Sequence, residues 1–90
     1  MIKVKIPTPL RRFTKDLAEV EVEAADVKSL IEALEKKCPG IRKRLCEDDG
    51  SIRKFINVYV GDEDIRFLKG IETKIAQGKE ISIVPSIAGG

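Results

Sequence analysis

Histidine and tryptophan are absent from this 90-residue chain, which has only two cysteines, one tyrosine and three phenylalanines. Without histidine, Cys38 and Cys46 can complete a four-ligand zinc site only with distant carboxylates, so no metal site is expected. Phe13, Phe55, Tyr59 and Phe67 are too few and too scattered to form base-stacking platforms. Charge of one sign is lacking too: 17 basic and 15 acidic residues leave a net +2. The Arg42-Lys43-Arg44 cluster is followed at once by Glu47, Asp48 and Asp49, which reads as a solvated turn and not a nucleic-acid footprint. No apolar run has the length of a membrane span, and Met1–Lys5 alternates instead of forming a signal-peptide core. A cytoplasmic protein without membrane association is the expectation, and Cys38 and Cys46 fit it as free, partly buried residues.

What is present is alternation. The length allows one domain and no second core. Ile2, Val4 and Ile6 alternate with Lys3 and Lys5, and Ala18, Val20 and Val22 with Glu19, Glu21 and Glu23, the period of half-buried strands. Paired antiparallel, these strands oppose lysines to glutamates on the outer face. The period then changes, for Val27, Leu30, Ile31, Leu34 and Cys38 form one stripe of a helix. Asp26 supplies its N-cap and Cys38-Pro39-Gly40 its stop. Ile41–Cys46 predicts one more short turn. Phe55–Val60 follows as a strand, with Ile56, Val58 and Val60 on one face and Phe55, Asn57 and Tyr59 on the other. After an acidic turn at 61–64, Ile65–Leu68 predicts a short strand and Ile71–Gly78 a single helical turn. Glu80–Val84 predicts the last strand, Ile81 and Ile83 inward and Val84 outward, closed by Pro85.

One helix covers one face of a sheet, which makes this an α+β layer structure. With the last strand paired to the first at the sheet centre, the order is that of a β-grasp, the ubiquitin-like fold. It has a mixed sheet of four to five strands and one main helix. The expected division is a β-grasp domain over 1–85 and a flexible tail over 86–90.

That tail ends in Gly89-Gly90. Glycine suits sites where backbone must approach another surface closely, and little side-chain chemistry competes with the terminal carboxylate. With this element order and ending, the chain resembles the ubiquitin-like sulfur carriers of the ThiS/MoaD superfamily. Phe55-Ile56-Asn57-Val58-Tyr59-Val60-Gly61-Asp62-Glu63-Asp64-Ile65-Arg66-Phe67 is most similar to the Phe-x-Asn-x-Tyr-Val-x-Asp-Glu-Asp-x-Arg-Phe run of CysO-type carriers. Ile6-Pro7-Thr8, Leu10-Arg11 and the ending Pro85-x-Ile87-Ala88-Gly89-Gly90 match the same subgroup. Gly61 and Ser86 depart from it, away from the reactive end.

The resemblance implies a carrier, not an enzyme, with no bound cofactor. A ubiquitin-activating-type adenylyltransferase would use ATP to adenylate the Gly90 carboxylate, and sulfur transfer would leave a thiocarboxylate. The sulfur would pass to a PLP-dependent cysteine synthase, with a JAMM-type metalloprotease releasing cysteine. In molybdenum cofactor biosynthesis it would pass instead to the large subunit of molybdopterin synthase. A third outcome is a protein modifier joined to lysines. Gly89 would keep the approach slim. Phe55, Tyr59 and Val84 share an outward face near the tail and, with Ile87 and Ala88, make a candidate docking patch. The plainer alternative for these apolar residues is ordinary surface scatter. Arg66 is placed to pair with the acidic turn, and Asp62-Glu63-Asp64 reads as that turn and not a carboxylate site.

Overall fold

The computed structural model describes residues 1–85. Strand β1 (Ile2–Lys5) leads through a 3-10 segment (Thr8–Phe13) to β2 (Glu19–Val22). Helices α1 (Val27–Lys37) and α2 (Ile41–Leu45) follow, then β3 (Ile56–Val60) and β4 (Glu63–Asp64). Two short 3-10 segments, Ile65–Phe67 and Gly70–Glu72, precede β5 (Glu80–Pro85). The strands form one five-stranded sheet in the order β2-β1-β5-β3-β4. The central pair β1–β5 is parallel and every other pair antiparallel. This is the expected β-grasp.

Period-two alternation places Ile2, Val4, Val20, Val22, Val58, Ile81 and Ile83 in the core, facing Val27, Leu30, Ile31 and Leu34 of α1. The opposite sheet face carries the predicted ladder of charge. Lys3 lies opposite Glu21 and Lys5 opposite Glu19. The contacts themselves run diagonally and across to β5, with Lys3 Nζ 3.9 Å from Glu19 and Lys5 Nζ 3.2 Å from Glu80.

Helix α1 starts where the sequence places it. Asp26 Oδ1 accepts the Ser29 N–H at 2.8 Å, and the Ser29 hydroxyl accepts the Asp26 N–H at 3.3 Å, closing a capping box. At the far end Gly40 has φ +99°, and a Cβ there would meet Phe13 Cε1 at 3.0 Å. The Glu35 carboxylate accepts N–H bonds from Gly40 at 3.0 Å and Arg42 at 2.9 Å, supplying the N-terminal partner that α2 lacks in its own side chains. Cys38 and Cys46 are both free and buried, more deeply than expected.

Three elements differ from the sequence reading. Ile65–Leu68 is not a strand; pairing with β3 is supplied by Glu63–Asp64. Asp64 then accepts the Arg66 N–H at 2.8 Å and starts a 3-10 turn over Ile65–Phe67. With three residues per turn Ile65 and Phe67 no longer share a face, so Ile65 is buried and Phe67 is 87% exposed. The helical turn expected over Ile71–Gly78 is confined to Gly70–Glu72. Beyond it, Thr73 O accepts from Val27 N and Ile75 N donates to Ala25 O, so the backbone bonds the approach to α1 instead of itself. Strand β5, expected to stop at Val84, runs through Pro85. Gly61 N bonds Glu80 O; by antiparallel alternation the Pro85 nitrogen faces the β1 side, where β1 has already ended. Its missing N–H therefore leaves no ladder bond unmade.

Candidate functional site

The site is built around the point where β5 leaves the sheet. Pro85 is paired with Ile56 at the start of β3. Because β1 and β5 are parallel, the exits of both strands and the entry of β3 share one end of the domain. Helix α1 covers one face of the sheet and leaves the other open.

On that open face Val84 is 42% exposed and lies directly opposite Asn57. Tyr59, half-buried, lies opposite Ser82 and is thus the diagonal neighbour of Val84, within reach of a long side chain. Phe55 is 53% exposed and stands immediately before β3. The structure thus gathers Tyr59, Asn57 and Val84 on one face and sets Phe55 at its edge. The other expected site residues, Ile87, Ala88, Gly89 and Gly90, and the tail itself lie outside the described residues.

Arg66, expected to pair through its charge with the acidic turn, gives that turn only its backbone N–H. Its guanidinium reaches the β3 entry: Nη1 donates to Asn57 Oδ1 at 2.8 Å, and Nη2 to the carbonyls of Lys54 at 2.7 Å and Ile56 at 2.8 Å. This contact ties the Phe55 loop to the sheet. The signal for it was the Asp64-x-Arg66 spacing, which delivers a long cation back across a two-residue strand; the partners are backbone groups and invisible in sequence.

The electrostatics leave the described side chains chemically quiet. Burial pushes the Cys38 and Cys46 thiols above their ordinary pKa, so both stay protonated at neutral pH and neither is a ready nucleophile. Asp26 is held below the usual carboxylate range by the Ser29 N–H and hydroxyl, and Glu35 by the N–H groups of Gly40 and Arg42. Both carboxylates serve helix ends. Among the described residues no helix is long and apolar enough to cross a membrane.

A helix-backed sheet whose central strand leads out beside an open, partly apolar face defines a ubiquitin-like β-grasp protein. The chain belongs to the ThiS family, which it matches over residues 4–90. It is 38% identical to the sulfur carrier protein CysO of Mycobacterium tuberculosis, over 99% of this chain and 98% of that one. The crystal structure of the Amycolatopsis orientalis BexX/CysO complex contains a chain similar to it with a TM-score of 0.94 and 40% identity, all of both chains being covered. SAMP1 of Haloferax volcanii, a small archaeal modifier protein, superposes with a TM-score of 0.81 at 25% identity, over 99% and 98% of the two chains.

Proposed function

We propose that this chain is a sulfur carrier whose reactive group is the Gly90 carboxylate. The observation that carries the reading is likeness to sulfur carrier proteins over almost the whole length, together with a family match that runs through Gly90. A carboxylate is a poor electrophile, because its charge repels nucleophiles and its oxygen leaves badly. In the proposed cycle a ubiquitin-activating-type enzyme lets a Gly90 oxygen attack the α-phosphorus of ATP, releasing pyrophosphate. A sulfide equivalent then attacks the acyl carbon and AMP leaves, giving the thiocarboxylate. Water must be kept from the acyl-adenylate, so the partner encloses the terminus. Gly89 and Gly90 keep that terminus narrow, and the five residues after Pro85 span roughly 16 Å when extended.

Cysteine biosynthesis is the destination we favour, with the sulfur passed to an activated serine on a PLP-dependent cysteine synthase and cysteine released by a JAMM-type hydrolase. Support comes from the CysO-like run Phe55–Phe67 and from identity to the CysO relatives. A second reading, conjugation to lysines, is favoured by the similarity to SAMP1. Tyr59, Val84 and Phe55 would form the surface that enzymes grip in either case.

Intact-mass measurement of the protein from its native cells tests the proposal. One oxygen-to-sulfur exchange at Gly90 is the expected result. Ladders of larger conjugates without that species would favour the modifier, and an unmodified end under sulfur demand would overturn both.

A further inference from the structure

We propose that the surface that receives the activating enzyme extends beyond the open sheet face to the basic end of the domain, centred on Arg12, Phe13 and Arg44, and that the enzyme presents an acidic rim to that end. The inference rests on the reading of Gly90 as the group activated. Topology supplies the first reason. The 3-10 segment Thr8–Phe13 follows β1, and β1 runs parallel to β5, so this segment stands at the end from which the chain leaves Pro85. Helix α2 packs against the same segment, with Phe13 seated on Gly40 at the start of α2. An enzyme that closes on Gly90 lies within about 16 Å of Pro85 and so approaches the end of the domain that carries these elements.

Charge supplies the second reason. The 3-10 segment carries Arg11 and Arg12, α2 carries Arg42, Lys43 and Arg44, and neither contains an acid. Lys15 follows, exposed. Among the described residues none of these six cations forms an ion pair. On the α2 side acids lie close by: Glu35 accepts the N–H groups of Gly40 and Arg42 and keeps its charge beside Arg42 and Lys43, Asp48 and Asp49 follow α2, and Glu47 pairs with Arg53 at 3.8 Å. The excess of positive charge therefore lies with Arg11, Arg12 and Lys15, among which Asp16 is the one acid between Thr8 and Leu17, and with Arg44 beside them over Phe13.

Order supplies the third. The guanidinium of Arg12 sits 5.0 Å from the centroid of the Phe13 ring and that of Arg44 6.0 Å from it. Two like charges are thus held over one anchored ring, where cation–π attraction offsets part of their repulsion. Cations fixed before encounter lose less freedom on docking, and complementary charge across an interface speeds association and suppresses wrong partners. A nucleic acid suits the patch less well, because Phe13 is already occupied by two guanidinium groups and offers no open ring to a base. The whole chain, moreover, has a net charge of only +2.

The test replaces the chain in its native cells with R12E/R44E and reads Gly90 by intact mass, alongside wild type, R12K/R44K and K28E/K79E. The last makes the same charge change at the opposite end. A wild-type protein with no thiocarboxylate would overturn the carrier reading, and this inference with it. Given a thiocarboxylate in wild type, R12E/R44E should lower its fraction about tenfold, while R12K/R44K and K28E/K79E retain it. Unchanged thiocarboxylate in R12E/R44E, or equal loss in K28E/K79E, would overturn the docking surface and leave the carrier standing. A rise in R12E/R44E would also overturn it, because the patch would then face the enzyme that consumes the sulfur. Should R12E/R44E melt lower than wild type, R12Q/R44Q takes its place, with the same loss expected and no loss overturning.

Discussion

Arg66 donates from Nη1 to Oδ1 of Asn57 at 2.8 Å and, from Nη2, to the carbonyl of Ile56 next to it. The reason lies in the length of β4. Alternation turns the Ile56 carbonyl toward the β4 edge of β3, but β4 ends at Asp64, opposite Tyr59. No strand extends far enough to serve Ile56, and a guanidinium with donors in a fixed fork does so instead. Arg66→Ala should therefore cost about 1–2 kcal/mol of stability, read from the denaturant midpoint. Arg66→Lys should recover only part of it, because an ammonium cannot reproduce the planar fork. Full recovery by lysine would show that charge alone matters.

Gly40→Ala should destabilise the domain by about 1–3 kcal/mol, since its φ of +99° is strained for an L-residue. The new Cβ would also press on Phe13. Thermal unfolding measures the first effect. The second appears as altered amide shifts at Arg12 and Arg44, and unmoved shifts would refute it.

Acid sensitivity should trace to Asp26 and Glu35. Both are held below their ordinary pKa by N–H donors. A depressed folded-state pKa means stability that is present above the unfolded value, near pH 4, and lost as pH falls through the lower folded value. D26N/E35Q should flatten the fall in melting temperature between about pH 5 and pH 2. A slope as steep as that of wild type would assign the effect to other groups.

Deletion of Gly90 should abolish thiocarboxylate formation while moving stability by less than about 0.5 kcal/mol. Calorimetry and intact mass separate the two readouts, and a large stability loss would count against the tail as a purely reactive segment.

Tyr59→Glu and Val84→Asp should each slow activation of Gly90 by about tenfold or more, with little change in the far-ultraviolet circular dichroism. Wild-type activation in both variants would return the open face to ordinary surface scatter.

How much of this was legible beforehand divides by range. The period of Ile2, Val4 and Ile6 and of Ile81 and Ile83 revealed the strands, and the stripe from Val27 to Cys38, with its Asp26 cap, revealed α1. These are local signals, for each residue states which face it needs. The Ile65–Leu68 segment misled because apolar residues two apart fit a strand as well as a 3-10 turn; Asp64 decides between them, by capping Arg66. Segment 71–78 misled for a related reason, since its backbone partners come from Ala25 and Val27, far off in sequence.

The sequence by itself determined the β-grasp order, the inward and outward faces of its strands, and the Gly89-Gly90 ending that marks the candidate reactive group. Only the tertiary structure decided that Arg66 serves the carbonyls of Lys54 and Ile56, that Glu35 caps α2, and that Arg12 and Arg44 meet over Phe13. Periodicity encodes how each residue partitions between water and core. Which distant backbone groups and charges become neighbours depends on where strands end and helices cross, and those distances exist only once the chain has packed.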